Sequence, residues 1–142
     1  MNITLQQART VVEASLAKGR EMGLKPLSVV ILDSRGALVA ALSEDGCSQL
    51  RAKIAHGKAN AAIGLGIGTR ALMNRAEQQA YFIQAVNGAF GGDMVPVPGG
   101  VLIHDDGGTL VGAIGISGDT SDNDEAAALA GIAAAGLTGK VD

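Results

Sequence analysis

Two pairs of apolar segments, each joined by a short turn rich in Asp and Gly, constrain the fold more than any other feature. Residues 27–32 and 37–42 flank Asp33-Ser34-Arg35-Gly36, and residues 100–104 and 109–116 flank Asp105-Asp106-Gly107-Gly108. Turns of this length join antiparallel strands, whereas parallel strands need a long crossover connection. The sequence therefore predicts an antiparallel sheet covered by helices. Residues 27–32 and 110–116 are its predicted central strands, because their apolar runs are unbroken.

Helical patterns surround these strands. Thr4 and Gln7 form a capping-box signature for a helix over about 4–22, and Ser48 is the expected cap of a helix over about 49–65. In that second helix the inward stripe is predicted to run through four residues: Leu50, Ile54, Ala61 and Leu65. Thr69 opens a third helical segment, and Ser121 is the expected cap of a last helix over about 122–136.

A short edge strand is predicted over residues 95–97, since Pro96 and Pro98 cannot donate to a central ladder. The predicted order is α-β-β-α-α-(β)-β-β-α, an α+β arrangement. No repeat, linker or shift in composition divides the sequence, so residues 1–142 are expected to form a single domain.

Composition excludes several classes of partner. The net charge is −3, no dense basic stretch exists, and the aromatic residues are only one tyrosine and two phenylalanines, so nucleic-acid binding is not expected. The single Cys47 cannot form an intramolecular disulfide, which favours a reducing cytoplasm. The polar N-terminal residues do not match a signal peptide, and no run of 18 apolar residues predicts a membrane span.

Four segments carry a family resemblance. They are Ser28-Val29-Val30-Ile31-Leu32-Asp33-Ser34-Arg35-Gly36-Ala37-Leu38-Val39, Ala55-His56-Gly57-Lys58-Ala59-Asn60-Ala61-Ala62, Pro98-Gly99-Gly100-Val101-Leu102-Ile103, and Val111-Gly112-Ala113-Ile114-Gly115-Ile116-Ser117-Gly118 followed by Asp124. In this order, the segments resemble the GlcG/HbpS-like family, which includes the C-terminal domain of PduO-type proteins. Leu102 departs from the family pattern, which usually has proline there.

The resemblance implies a profilin-like fold, in which a five-stranded antiparallel sheet is flanked by helices in α/β/α layers. It also implies a homo-oligomer, often an octamer, and a protein that binds or degrades haem, assists a catabolic operon or acts on small organic acids. Haem is therefore the implied cofactor. The histidine that some haem-binding relatives carry in their first helix is missing, because residues 4–22 contain none.

Candidate ligand-binding residues lie in two glycine-containing loops and on the second helix. Backbone N–H groups at Gly99-Gly100 and Ser117-Gly118 are positioned at strand ends, where they could hold a carboxylate; alternatively, these glycines only allow close backbone approach. Arg51 and Lys58 lie seven residues apart on one helix face, so they could hold the same carboxylate or simply face solvent.

Candidate catalytic residues are His56, Lys58 and Asp33, each able to transfer a proton. His56 is also the candidate haem ligand, with Met94 as an unusual alternative. The alternatives are a surface position for His56 and a turn-capping role for Asp33. His104 precedes the second turn and is expected to be exposed.

An acidic segment, residues 119–124, resembles a calcium loop in composition. It lacks the glycine and glutamate that such a loop requires, so acidic helix caps are the preferred interpretation and no metal site is predicted.

Three functions stay open at this point: a small-molecule binding protein, an enzyme on a small carboxylate, and an assembly module. Apolar residues surround the last helix on all sides, which predicts burial against a partner subunit and thus at least a dimer.

Overall fold

A computed structural model describes residues 1–142 and shows a five-stranded antiparallel sheet with five helices. The elements in chain order are α1 (Leu5–Glu21), β1 (Ser28–Asp33), β2 (Leu38–Ser43), α2 (Arg51–Leu65), α3 (Thr69–Gln78), α4 (Ala80–Ala89), β3 (Gly100–His104), β4 (Leu110–Ser117), α5 (Ser121–Ala134) and β5 (Thr138–Lys140). The strand order is β2-β1-β4-β3-β5. The α+β, helix-flanked antiparallel fold predicted from the sequence is confirmed.

Strands β1 and β4 lie side by side in the interior of the sheet. Ser28 pairs with Ser117 and Asp33 pairs with Gly112, so the two strands run antiparallel along their whole length. Every residue of β1 is buried, as its unbroken apolar run predicts. Helices α1 and α5 cover one face of the sheet and enclose the larger core, while α2 covers the other face.

The fifth strand is not the predicted one. Residues 95–97 form no strand, and their segment instead meets α2, where the Val95 N–H donates to the Gly57 carbonyl at 3.2 Å. The strand at that edge is β5, which follows α5 and pairs with β3. Prolines at 96 and 98 remove the N–H groups that a ladder needs, whereas the chain after α5 returns to the free edge of β3.

Helix boundaries agree in part with the sequence signals. Thr4 and Gln7 form the predicted capping box on α1. The third helical segment is two helices, because Gln79 has a non-helical backbone (φ −138°, ψ 60°) between them. Helix α5 is capped by Thr120, whose hydroxyl accepts from the Asn123 N–H. Ser121 is the first residue of the helix, so the predicted cap by Ser121 is wrong. Helix α2 begins at Arg51 without a side-chain cap, so the predicted cap by Ser48 is wrong.

The buried side of α2 differs from the predicted stripe. Leu50 is 58% exposed, while small residues such as Ala55 and Ala59 are completely buried against the sheet. At Gly115 on β4, an added Cβ would lie 1.8 Å from the Ala55 carbonyl oxygen. The helix therefore lies directly on the strand, at a distance that only small residues permit, and large apolar residues do not mark its inner face.

Helix α5 finds its apolar neighbours within the chain. One side packs on the sheet and another on α1, at a point where a Cβ on Gly131 would lie 1.9 Å from the Ser15 hydroxyl. Among its larger apolar residues, only Leu129 is exposed. Two sides of α5 are therefore covered within the chain, while Leu129, Ala133 and Ala134 stay exposed. None of the helices has the length and apolarity needed to cross a membrane.

Candidate functional site

A buried ion pair lies at the end of β4 where the predicted ligand loops meet. Lys58 Nζ donates to the Ile116 carbonyl at 2.8 Å and to Asp124 Oδ2 at 3.2 Å. The Lys58 and Asp124 side chains are only 2% and 1% exposed. Asp124 Oδ1 also accepts from the Asp119 N–H at 3.0 Å. The pair connects α2 to the start of α5 across the sheet.

Burial governs the electrostatics of Lys58. Loss of hydration lowers the pKa of its ammonium below the usual lysine value, the Asp124 carboxylate opposes this shift, and the positive charge of Arg51 adds to it. Because the side chain is almost completely enclosed, it cannot reach a ligand without local opening. Its position indicates a structural role, which differs from the predicted role in proton transfer.

Four of the five predicted ligand-binding residues lie close to this ion pair. A Cβ on Gly99 would lie 2.8 Å from Lys58 Nζ, and one on Gly100 would lie 2.4 Å from the Lys58 carbonyl oxygen. Arg51 Nη1 donates to Ser117 Oγ at 3.1 Å. The predicted convergence is therefore present, but the lysine side chain fills the space at Gly99 that a ligand would need.

Gly118 faces a different neighbour. A Cβ at this position would lie 2.2 Å from the Pro26 carbonyl oxygen, so glycine is needed there for close backbone approach. This contact agrees with the alternative that the sequence left open for the glycine loops.

Asp33 lies at the opposite end of β1 from Ser117, because β1 and β4 are antiparallel. Its carboxylate accepts from the Arg35 and Ala37 N–H groups and from the Arg35 guanidinium. Burial by itself raises the pKa of Asp33, but these hydrogen bonds outweigh it and hold the pKa below the usual value. Asp33 thus caps the β1–β2 turn and does not join the other candidate catalytic residues.

The acidic side chains of residues 119–124 also find partners within the chain. Asp119 accepts from the Lys25 and Thr120 N–H groups and from the Asn123 side chain, and hydrogen bonding by Asn123, Lys25 and Thr120 lowers the pKa of Asp119 to about 2. Asp122 pairs with Arg70. No group of three or more potential metal ligands is present. Residues 119–124 therefore act as caps and ion-pair partners.

His56 lines an open cleft of about 540 Å³ between α2 and the loop that follows α4. The cleft is bordered by eight residues: Leu50, Lys53, Ile54, His56, Gly91, Gly92, Asp93 and Val95. Its size falls within the range of small-molecule sites, about 300–1,000 Å³. His56 is partly exposed, so it is the one predicted catalytic residue that a ligand can reach.

A carboxylate lies beside the imidazole of His56. His56 Nδ1 lies 2.7 Å from Asp93 Oδ2, and Nε2 has no hydrogen-bond partner within the chain. Asn60 in turn donates to the Asp93 carbonyl at 2.9 Å and to Oδ2 at 3.3 Å. Gly57 permits this arrangement, because a Cβ there would lie 2.7 Å from Val95 Cγ2.

Asp93, Asn60 and Lys53 were missed by sequence reasoning. Asn60 follows His56 by four residues, so a shared helix face could have been recognised from the sequence. Asp93 is 37 positions away from His56 in the chain, and no pattern connects the two. Met94, the predicted alternative haem ligand, is buried with Ala61 and other apolar residues of α2, α3 and α4.

Comparison with known proteins identifies the family. Residues 3–133 match the family model described as haem-degrading protein, HbpS-like. The chain belongs to the HbpS-like family. A search of the curated proteins finds no match.

Solved structures share the HbpS-like fold. The PduOC protein in a haem complex has a TM-score of 0.86 at 22% identity, covering 96% of this chain and 97% of its own. The Klebsiella pneumoniae protein ORFY has a TM-score of 0.84 at 22% identity, covering 94% of this chain and 90% of its own. HbpS has a TM-score of 0.78 at 26% identity, covering 94% of this chain and 89% of its own.

Proposed function

We propose that this HbpS-like chain binds a small molecule in the His56 cleft. The observation that carries the proposal is the 2.7 Å contact between His56 Nδ1 and Asp93 Oδ2. A carboxylate beside Nδ1 favours a proton on that nitrogen, so in the neutral imidazole Nε2 would keep the lone pair that can bind a ligand. No other predicted catalytic residue combines an available polar atom with an open cavity.

Haem is the ligand that the family description and the PduOC haem complex favour. The cleft contains three groups that could hold haem. They are an imidazole nitrogen for the iron, a carboxylate beside that imidazole, and the Lys53 ammonium for a propionate. The macrocycle would contact Leu50, Ile54 and Val95, and no aromatic ring borders the cleft. The donor set fits haem, while the small apolar lining predicts weak binding.

A haem titration followed by absorbance tests the proposal. The wild type should show a modest Soret shift that saturates, and His56→Ala should abolish it. His104→Ala is the matched control, because His104 lies at the β3–β4 turn and does not border the cleft. An intense six-coordinate spectrum that persists in His56→Ala would contradict the assignment of His56.

A small carboxylate is the second candidate ligand, favoured by the presence of Lys53 beside the His56–Asp93 pair. In such a complex Lys53 would hold the carboxylate and His56 would act as general base toward a neighbouring proton. Calorimetric titration with a short 2-hydroxy acid separates the two candidates. Binding that is lost in Lys53→Met, with no Soret shift on haem addition, would favour the carboxylate.

The cellular role of the chain belongs to the same proposal. The family resemblance favours an accessory protein of a catabolic pathway that works as a homo-oligomer, with an octamer as the implied form. The single Cys47 favours the cytoplasm.

A further inference from the structure

Residues 90–95, which follow α4, lie along one face of α2. At one end, a Cβ on Gly64 would lie 2.5 Å from the ring of Phe90. At the other end, a Cβ on Gly57 would lie 2.7 Å from Val95 Cγ2, and the Gly57 carbonyl accepts from the Val95 N–H at 3.2 Å. The two glycines of α2 therefore allow both ends of the segment to approach the helix closely.

Asn60 lies between these glycines on α2 and contacts the middle of the segment. Its Nδ2 donates to the Asp93 carbonyl oxygen at 2.9 Å and to Asp93 Oδ2 at 3.3 Å. Both partner atoms are acceptors, so the NH₂ end of the amide faces Asp93. One side chain thus contacts both the backbone and the carboxylate of the same residue, which restricts the rotamers that this carboxylate can adopt.

The orientation of Asp93 determines what His56 can do. Asp93 Oδ2 lies 3.3 Å from Asn60 Nδ2 and 2.7 Å from His56 Nδ1, so one oxygen meets both side chains. The tautomer of a histidine is set by the partner of its ring nitrogens. The Asp93 side chain is 42% exposed, so without Asn60 its carboxylate is free to turn toward water and leave Nδ1.

Asn60 acts at a distance from any ligand. The cleft is bordered by His56 and Asp93 but not by Asn60, so the amide meets a bound molecule only through the carboxylate that it contacts. Outer partners of this kind fix the tautomer and the ring orientation of ligand-binding histidines.

We propose that Asn60 is a positioning residue of the His56 cleft. Its amide keeps Asp93 Oδ2 beside His56 Nδ1 and thereby sets Nε2 as the nitrogen that binds the ligand. The consequence for binding rests on the proposed function of the cleft, whereas the effect on the tautomer of His56 does not.

Solid-state ¹⁵N spectra of protein with labelled histidine rings test the proposal without a ligand. The parent is His104→Ala, which leaves His56 as the only histidine. At about pH 9, where an ordinary histidine is neutral, the parent should show the Nδ1–H tautomer as its main species. Asn60→Leu keeps the branched shape of the side chain but removes its N–H donors, so the Nδ1–H tautomer should become the minor species.

Two further variants support this comparison. Asn60→Ala removes the amide without adding apolar bulk and should give the same change as Asn60→Leu. Asn87→Leu is the matched control, because Asn87 is an exposed asparagine of α4, and it should leave the spectrum of the parent unchanged. Far-ultraviolet circular dichroism confirms that each variant is folded.

Haemin titrations of the full chain show the consequence for binding. Asn60→Leu should weaken haemin binding by about 10-fold, the loss expected for a group that orients a metal ligand. Asp93→Ala should weaken binding at least as much. Adding Asn60→Leu to Asp93→Ala should cause no further loss, because Asn60 acts through Asp93.

The two measurements separate this proposal from the proposed function. A wild type that does not bind haemin, with spectra that change as expected, would exclude haem as the ligand and support the positioning role of Asn60. An unchanged Nδ1–H population in both Asn60→Leu and Asn60→Ala would overturn that role. A further loss of haemin affinity on adding Asn60→Leu to Asp93→Ala would also overturn it.

Discussion

Replacing Lys58 by methionine should be among the most destabilising single changes outside the apolar core. Methionine retains much of the apolar length of lysine but removes the ammonium, so Asp124 stays 1% exposed with no positive partner. Removing one member of a buried ion pair costs about 3–5 kcal/mol of unfolding free energy. A domain of this size has about 5–15 kcal/mol in total, so the variant should still fold.

A second substitution should reverse much of this loss. In Lys58→Met/Asp124→Asn both charges are gone, while the Asn oxygen can still accept from the Asp119 N–H, which lies 3.0 Å from Asp124 Oδ1 in the wild type. We expect the double variant to recover about 2 kcal/mol relative to the sum of the two single effects, within the range of coupling between contacting residues.

Urea unfolding followed by circular dichroism measures these free energies, at one protein concentration because association alters apparent stability. Lys53→Met is the matched control, since Lys53 is an exposed lysine of the same helix and its removal should change stability by less than about 0.5 kcal/mol. A Lys58→Met variant within 1 kcal/mol of wild type, or strict additivity in the double variant, would refute the structural role of the pair.

Three further predictions concern other parts of the chain. The pKa of Asp119 is about 2 in the folded protein and 3.8 without its hydrogen bonds, so its carboxylate stabilises the fold above pH 3.8 and this contribution is lost as the pH falls toward 2. Urea midpoints at pH 5 and pH 2.5 should therefore differ less in Asp119→Asn than in wild type. Gly115→Ala should lower the free energy of unfolding by about 3 kcal/mol or more, because the added Cβ would lie 1.8 Å from a carbonyl oxygen of α2. In the control Gly88→Ala the added Cβ would meet no atom within 4 Å, so the free energy of unfolding should change by less than about 1 kcal/mol. Thermal melts check both variants. Thr69→Val should lower the free energy of unfolding by about 1–3 kcal/mol, since the Thr69 hydroxyl accepts from the Gly100 N–H and donates to the Gly100 carbonyl. Equal unfolding free energies for the wild type and Thr69→Val would contradict this.

Local patterns in the sequence were sufficient for most of the sheet. The two Asp/Gly turns and the apolar runs around them predicted four of the five strands and their antiparallel pairing, because a short turn joins strands that are also neighbours in space. Strand β5 could not be predicted in this way. It has three residues without an apolar pattern, and it becomes a strand only because the chain returns to the free edge of β3.

The residues of the candidate site were recognised only in part, for the same reason. His56 was identified by its residue type, and the family by four motifs in order. The sequence could not show that Lys58 is buried against Asp124, or that Asp93 lies beside His56, since these partners lie 66 and 37 positions apart and meet only through packing. Residue chemistry and local spacing thus determined which groups are present. The tertiary structure decided which are enclosed and which face a cleft, because burial and long-range contacts depend on how α2 lies across the sheet.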